Sequence, residues 1–247
     1  MNRYLIVLLA LSFLFFGCSG PAAPIEQANV TVEEQQSVSA EENSNGEELE
    51  VTENKVLILG RSVAYGWMEY LGFEWTCDDE ECYTGSPRGT YEDYYFIYYE
   101  LDYPPEIADS AIEGVDTYGT DAEVIFFKFC FVDFTADDET IQLNEQLVED
   151  VYQGVVVEHN KKLIVGNALP MVAQDTEPAL VTNHRNYNQW LDNFAATHDN
   201  VEVLDLYGIL SDSNGNLRSD YALATDDSHL NDVAYAEITS QFMDLLG

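Results

Sequence analysis

The chain has 247 residues, with 46 Asp and Glu against 9 Lys and Arg, giving a formal net charge of -37. That balance excludes nucleic acid and anionic lipid as partners held through charge. It suits a solvated acidic surface, in high salt or at a cell exterior, and says nothing about fold.

Met1-Asn2-Arg3 is a short basic start, and Tyr4 to Phe16 is an uncharged apolar run. The run is short for a membrane-crossing helix and has the length of a signal-peptide core. It ends in Gly17-Cys18-Ser19, which resembles the lipobox of prokaryotic lipoproteins, with phenylalanine where that box usually has leucine and a small residue. The resemblance implies that residues 1–17 are removed, that Cys18 is lipidated, and that the lipid is the only contact with the membrane. An uncleaved signal anchor and plain secretion are the alternatives; in each case the body of the chain lies outside the cytoplasm. Residues 18–54 are dominated by Glu, Gln, Ser, Ala and Asn. Such a segment buries too little apolar surface to offset chain entropy and reads as a disordered acidic tether. Residues 55–247 are one domain's worth of chain.

Within that domain, Lys55-Val-Leu-Ile-Leu59 predicts a buried parallel strand ended by Gly60, and Ser62 to Leu71 a helix. Residues 72 to 91 read as irregular, carrying Cys77, Cys82, Gly85, Pro87 and Gly89, and residues 94 to 101 as an aromatic strand. Pro104-Pro105 opens a helix to about Gly114. A strand is expected at 123–131, a long helix at 137–159, a strand at 162–165, a helix at 183–198, a strand at 201–206 and a final helix at 233–246. Strands alternating with helices imply an α/β fold, a three-layer α/β/α sandwich on a mainly parallel sheet of flavodoxin-like type. Sites in such sheets form beyond the carboxyl ends of the strands.

Ser62 stands where the first strand turns into the first helix, next to N–H groups that favour an oxyanion. Capping of that helix is the equally weighted alternative. Asp226-Asp227-Ser228-His229 precedes the last helix. An Asp three residues ahead of a His on a tight loop can hold Nδ1 and leave Nε2 to take the serine proton. Cys77 and Cys82 flank Asp78-Asp79-Glu80-Glu81 and can close a small disulfide outside the cytoplasm, a calcium site on those carboxylates being the lesser reading. Cys130 reads as a buried thiol, with a nucleophilic role the minor alternative. His159 and His198 suit helix ends, and His184 with Arg185 either lines the cleft or starts a helix. The tyrosines between Tyr91 and Tyr103 read mainly as strand and core packing rather than as a sugar or acyl site.

The ordering of Gly60-Arg61-Ser62 at the first turn and Asp226-Asp-Ser-His229-Leu-Asn-Asp-Val-Ala-Tyr235 near the end resembles the SGNH (GDSL-like) hydrolases. Tyr187 to Leu191, Val201 to Tyr207 and Asp212 to Leu217 are similar to the approach to that last block. The resemblance implies Ser62 as nucleophile, His229 as general base and Asp226 as its orienting carboxylate, with Asp227 a rival. It implies an esterase acting on a small-molecule or polysaccharide acyl ester, such as a carbohydrate O-acetyl group. An acyltransferase using the same residues, or a weak or inactive surface binding module, are the alternatives. No metal or cofactor is implied. Two departures stand out. Arg61 replaces the family's Asp and is expected to pair with Asp133 or Asp226, or to meet an acidic substrate group. Lys128 to Asp133 lacks the family's oxyanion Asn, leaving Gly85, Gly89 and Asn167 as candidate donors, Asn167 reading also as an ordinary turn residue.

Overall fold

The computed structural model describes residues 54–78 and 85–247. The expected signal segment, Cys18, the tether up to residue 53 and Cys82 lie outside the described residues. In chain order, β1 (Asn54–Gly60) runs into α1 (Ser62–Tyr70), followed by β2 (Glu74–Cys77), β3 (Gly85–Tyr91) and β4 (Tyr94–Glu100). Next come α2 (Ile107–Tyr118), β5 (Val124–Lys128) and α3 (Asp138–Tyr152). The second half holds β6 (Lys162–Gly166), α4 (Pro178–Thr197), β7 (Val201–Leu204) and α5 (Leu206–Leu210). It closes with β8 (Ala222–Ala224), β9 (Asp227–Leu230) and α6 (Asp232–Leu246).

The main sheet has the order β2-β3-β4-β1-β5-β6-β7. From β4 to β7 all neighbours are parallel. Successive residues of β1 face opposite layers: Leu57 and Leu59 pack under α2, α3 and α4, while Val56 and Ile58 pack under α1, α5 and α6. That is the period-two alternation of a strand covered on both faces, and the reason β1 reads as a continuous apolar run. The expected three-layer α/β/α sandwich is therefore the observed architecture. Because β4 lies on one side of β1 and β5 on the other, chain direction across the sheet reverses at β1, and a crevice opens beyond its carboxyl end. Ser62 sits just past that end.

The segment expected to be irregular instead forms β2 and β3, which extend the sheet antiparallel at its edge. Pro87 is tolerated there, and Gly85 and Gly89 let Trp75 and Phe73 lie close against the strand. Helix α2 starts after Pro104-Pro105, and Gly114 lies inside it, where the missing side chain admits the Tyr99 ring and Leu59. The helix expected at 137–159 is α3 followed by a wider π-type turn over Gln153–Glu158. Helix α4 begins earlier than expected, with Pro178 in its first turn. The strand at 201–206 stops at Leu204, because the Asp205 carboxylate accepts from Gly208 N at 2.8 Å and starts α5.

Candidate active site

Helix α1 is entered through Arg61, which occupies the N-cap position without a side-chain cap. Ser62 is thus the first helical residue, and its hydroxyl is not spent on capping. It is exposed to the crevice and has Cys130 Sγ at 3.7 Å. Cys130 itself is only 4 % exposed, which fits the expected buried thiol and disfavours it as a nucleophile.

His229 is carried by β9, part of a small hairpin with β8 outside the main sheet. His229 therefore stands on a strand, not on the expected loop, and that changes its partner. In a strand, residues i and i+2 share a face. Asp227, not Asp226, reaches the imidazole: its Oδ1 lies 2.6 Å from His229 Nδ1 and also accepts from His229 N at 2.9 Å. Asp226 is exposed in the turn before β9. The two hydrogen bonds from His229, the backbone one foremost, hold the Asp227 carboxyl below its usual range. An ionised carboxylate only accepts, so Nδ1 carries the proton and Nε2 is left as the acceptor. Phe131 packs edge-on against the ring at 5.3 Å between centroids.

The hairpin is fastened to the body of the domain on both sides of His229. Ser228 is buried and its hydroxyl accepts from Val172 N at 3.0 Å. Asn231 caps α6 by accepting from Val233 N and Ala234 N, and its amide donates to the Asp220 and Ala222 carbonyls. The Asn that follows His229-Leu230 is therefore a positioning residue, fixing hairpin and helix together. Ser62 and His229 line one cleft of about 540 Å³.

Behind Ser62, Arg61 is 5 % exposed and its Nη2 donates to Asp133 Oδ2, so the Asp133 pairing, rather than Asp226, is the one formed. The same Asp133 oxygen accepts from Cys130 N at 2.7 Å, and Asn144 Nδ2 donates to Asp133 O at 3.0 Å. Tyr103, 68 % exposed, lies over the guanidinium at 4.0 Å. Lys128, at the carboxyl end of β5, is also buried, with Nζ donating to Phe129 O at 3.2 Å. Burial lowers its pKa. Nothing in the sequence pattern sets it apart from a solvated strand-end lysine.

The remaining candidates are placed elsewhere. Asn167 donates Nδ2 to Asp205 Oδ1 at 2.7 Å and accepts from Tyr207 N at 2.8 Å. Both ends of its amide take part in bracing the β7–α5 turn, and Asn167 does not line the cleft. Gly89 is level with Phe96 and hence with Val56, well back from the carboxyl end of β1. Gly85 pairs with Cys77 on the outermost strand. Neither glycine lines the cleft. His184 does not line it either: the ring is fully buried against Phe134 and Tyr207. His198 does take the helix-end role, with Nδ1 at 2.8 Å from Phe194 O. Cys77 is disulfide-bonded, and Asp78, one of the carboxylates read as a calcium ligand, is engaged by Arg88 at 2.6 Å and by the Tyr118 hydroxyl at 2.6 Å.

The architecture is similar in fold to solved structures described as a GDSL-like lipase and an acylhydrolase. One solved structure that it resembles is a GDSL-like lipase from Bacteroides thetaiotaomicron, with a TM-score of 0.54, 12 % identity and coverage of 78 % of this chain and 88 % of that one. A proposed acylhydrolase from Bacteroides fragilis gives a TM-score of 0.54 at 14 % identity, covering 78 % and 86 %. A proposed platelet activating factor from Streptococcus pneumonia gives 0.57 at 18 % identity, covering 78 % and 84 %. No family model matches the chain, and comparison with curated proteins finds no match.

Proposed function

We propose that the domain is a serine hydrolase of acyl esters, working through Ser62, His229 and Asp227. The observation that carries this reading is the 2.6 Å contact of Asp227 with His229 Nδ1 on the wall of the same cleft that Ser62 lines. Ser62 Oγ attacks the ester carbonyl carbon while its proton passes to His229 Nε2. The negative charge that develops on the carbonyl oxygen is met by the N–H groups at the start of α1. Collapse expels the alcohol, which takes the proton back from Nε2 and leaves an acyl group on Ser62. Water then repeats the sequence from the other side, giving the carboxylic acid and the free serine. Asp227 keeps the imidazole in the tautomer that both halves need.

Carbohydrate O-acetyl groups and other short acyl esters of the cell envelope are the substrates that suit an extracytoplasmic domain held by a lipid on Cys18. That location rests on the apolar run before Gly17-Cys18 and belongs to the same proposal. An acyltransferase differs only in placing a sugar hydroxyl where water would attack. A second reading, a binding module with little chemistry, is supported by Cys130, whose thiol stands at 3.7 Å from Ser62 Oγ in the loop where the resembled family has an amide.

Fluorophosphonate labelling of the purified protein, at low and high salt, separates these readings. Labelling that persists in Cys130→Ala and vanishes in Ser62→Ala and His229→Ala is the expected result. A folded wild type that stays unlabelled in both salts sinks the hydrolase and leaves the binding module. Product analysis with and without an acceptor sugar then separates hydrolysis from transfer.

A further inference from the structure

The walls of the cleft are specific in their chemistry. Along α1, Ser62, Tyr65, Gly66, Glu69 and Tyr70 fall at helical spacing and turn to the cleft, while α6 contributes Asp232 and Tyr235. Gly66 marks a close approach: a Cβ there would meet the Tyr235 hydroxyl and force that ring to shift. That packing brings the two helices together at the floor and lets Tyr70 and Tyr235 stack at 5.9 Å with 27° between their planes. Burial first, then the Glu69 and Asp232 carboxylates, push the Tyr235 hydroxyl up, so both carboxylates act on the same floor. Among the described residues lining the cleft none is Lys or Arg. The cation that precedes Ser62 in the chain, Arg61, is buried, ion-paired and covered by Tyr103.

Resting on the hydrolase reading, we propose that this cleft selects esters whose alcohol portion carries an ammonium group, held against the exposed face of Tyr70 and the Glu69 and Asp232 carboxylates. Aromatic faces attract cations through their quadrupole, and carboxylates at the rim neutralise the charge without stripping all its water. An acidic substrate meets only repulsion there, and the strongly negative chain adds a field that concentrates cations and depletes anions. The acyl carbonyl lies at Ser62, so the ammonium group belongs to the part that extends along α1 toward Glu69 and Tyr70.

The test compares acetate esters of choline and of its neutral tert-butyl isostere, alongside an acetate ester bearing a carboxylate, on the full-length protein. The choline ester is expected to exceed the isostere roughly tenfold in kcat/KM, the factor that a cation–aromatic contact with one carboxylate supplies. The carboxylate ester is expected to be the slowest. The preference is expected to shrink as salt rises and to fall toward unity in Glu69→Gln and Asp232→Asn. Tetramethylammonium is expected to slow labelling of Ser62 by a neutral fluorophosphonate. Wild type that is labelled but hydrolyses choline ester and isostere alike overturns the proposal and leaves the hydrolase reading intact. Wild type that is not labelled at all overturns both.

Discussion

Arg61 and Asp133 form an ion pair that is buried at both ends and ties the turn before α1 to the loop after β5. Each charge is held in place by the other, and Asp133 also accepts from the backbone N–H of Cys130, whose thiol lies beside Ser62 Oγ. The residue that departs from the resembled pattern therefore serves as a strut under the candidate nucleophile. Removing one member strands a charge in the interior. Arg61→Ala or Asp133→Ala is expected to cost about 3–5 kcal/mol of unfolding free energy. The double replacement Arg61→Met with Asp133→Leu should cost clearly less than the two single changes added together. Urea unfolding of the three variants measures this, and additive losses would remove the pair from the account.

The two neighbouring aspartates are expected to separate sharply in function. Asp227→Asn leaves a shape of the same size but loses the carboxylate that sets the His229 tautomer, and kcat should drop by about a thousandfold or more. Asp226→Asn touches an exposed turn and should change kcat less than about twofold. Equal effects at the two positions would contradict the strand-borne geometry.

Asn167 gives a contrast between structure and chemistry. Asn167→Ala leaves the Tyr207 N–H and the Asp205 carboxylate short of a partner, at a cost of about 1–3 kcal/mol. Its effect on kcat should stay within about threefold, whereas loss of an oxyanion donor costs about a hundredfold or more. Thermal unfolding and ester turnover on the same samples distinguish the two roles.

His184 makes stability depend on acidity. Burial lowers its pKa from 6.5 to about 4, so the folded chain keeps the ring neutral where the unfolded chain protonates it. Folding is therefore unpenalised above pH 6.5 and loses free energy as the pH falls from 6.5 toward 4. The loss attributable to this ring is roughly 3 kcal/mol over that interval, at about 1.4 kcal/mol for each tenfold rise in proton activity. The difference in unfolding free energy between wild type and His184→Leu, followed from pH 7 to 4, should change by that amount. A constant difference across the range would show that the imidazole does not titrate there.

The parts of this chain legible from residues alone are those set by local pattern. The runs Lys55–Leu59 and Lys162–Val165 announce strands because both of their faces are apolar, and both are interior strands of the sheet. The His229 block was visible through its resemblance and the helix that follows it. The exchange of Asp226 for Asp227 was not, because choosing between adjacent carboxylates depends on whether the backbone there is a loop or a strand with a period of two. β2 and β3 were missed since Gly85, Pro87 and Gly89 speak for a turn unless a neighbouring edge is available to pair with. Asn167 and His184 take their roles, and Lys128 its burial, from residues distant in the chain, information that no local window contains.

The hairpin that presents His229 is attached through Val172 and the start of α6, while Ser62 belongs to the opening strand–helix turn. The proposed nucleophile and base thus come from opposite ends of the domain's sequence, and the cleft they both line is complete only when the last element has docked. On the proposed reading, a chain clipped before Asn231 keeps the serine turn, the sheet and His229 itself, but lacks the Asn231 bonds that fasten the hairpin and is expected to be inactive. Under the proposed chemistry, ester cleavage is consequently a report of completion: it switches on with the closing helix and gives no graded signal beforehand.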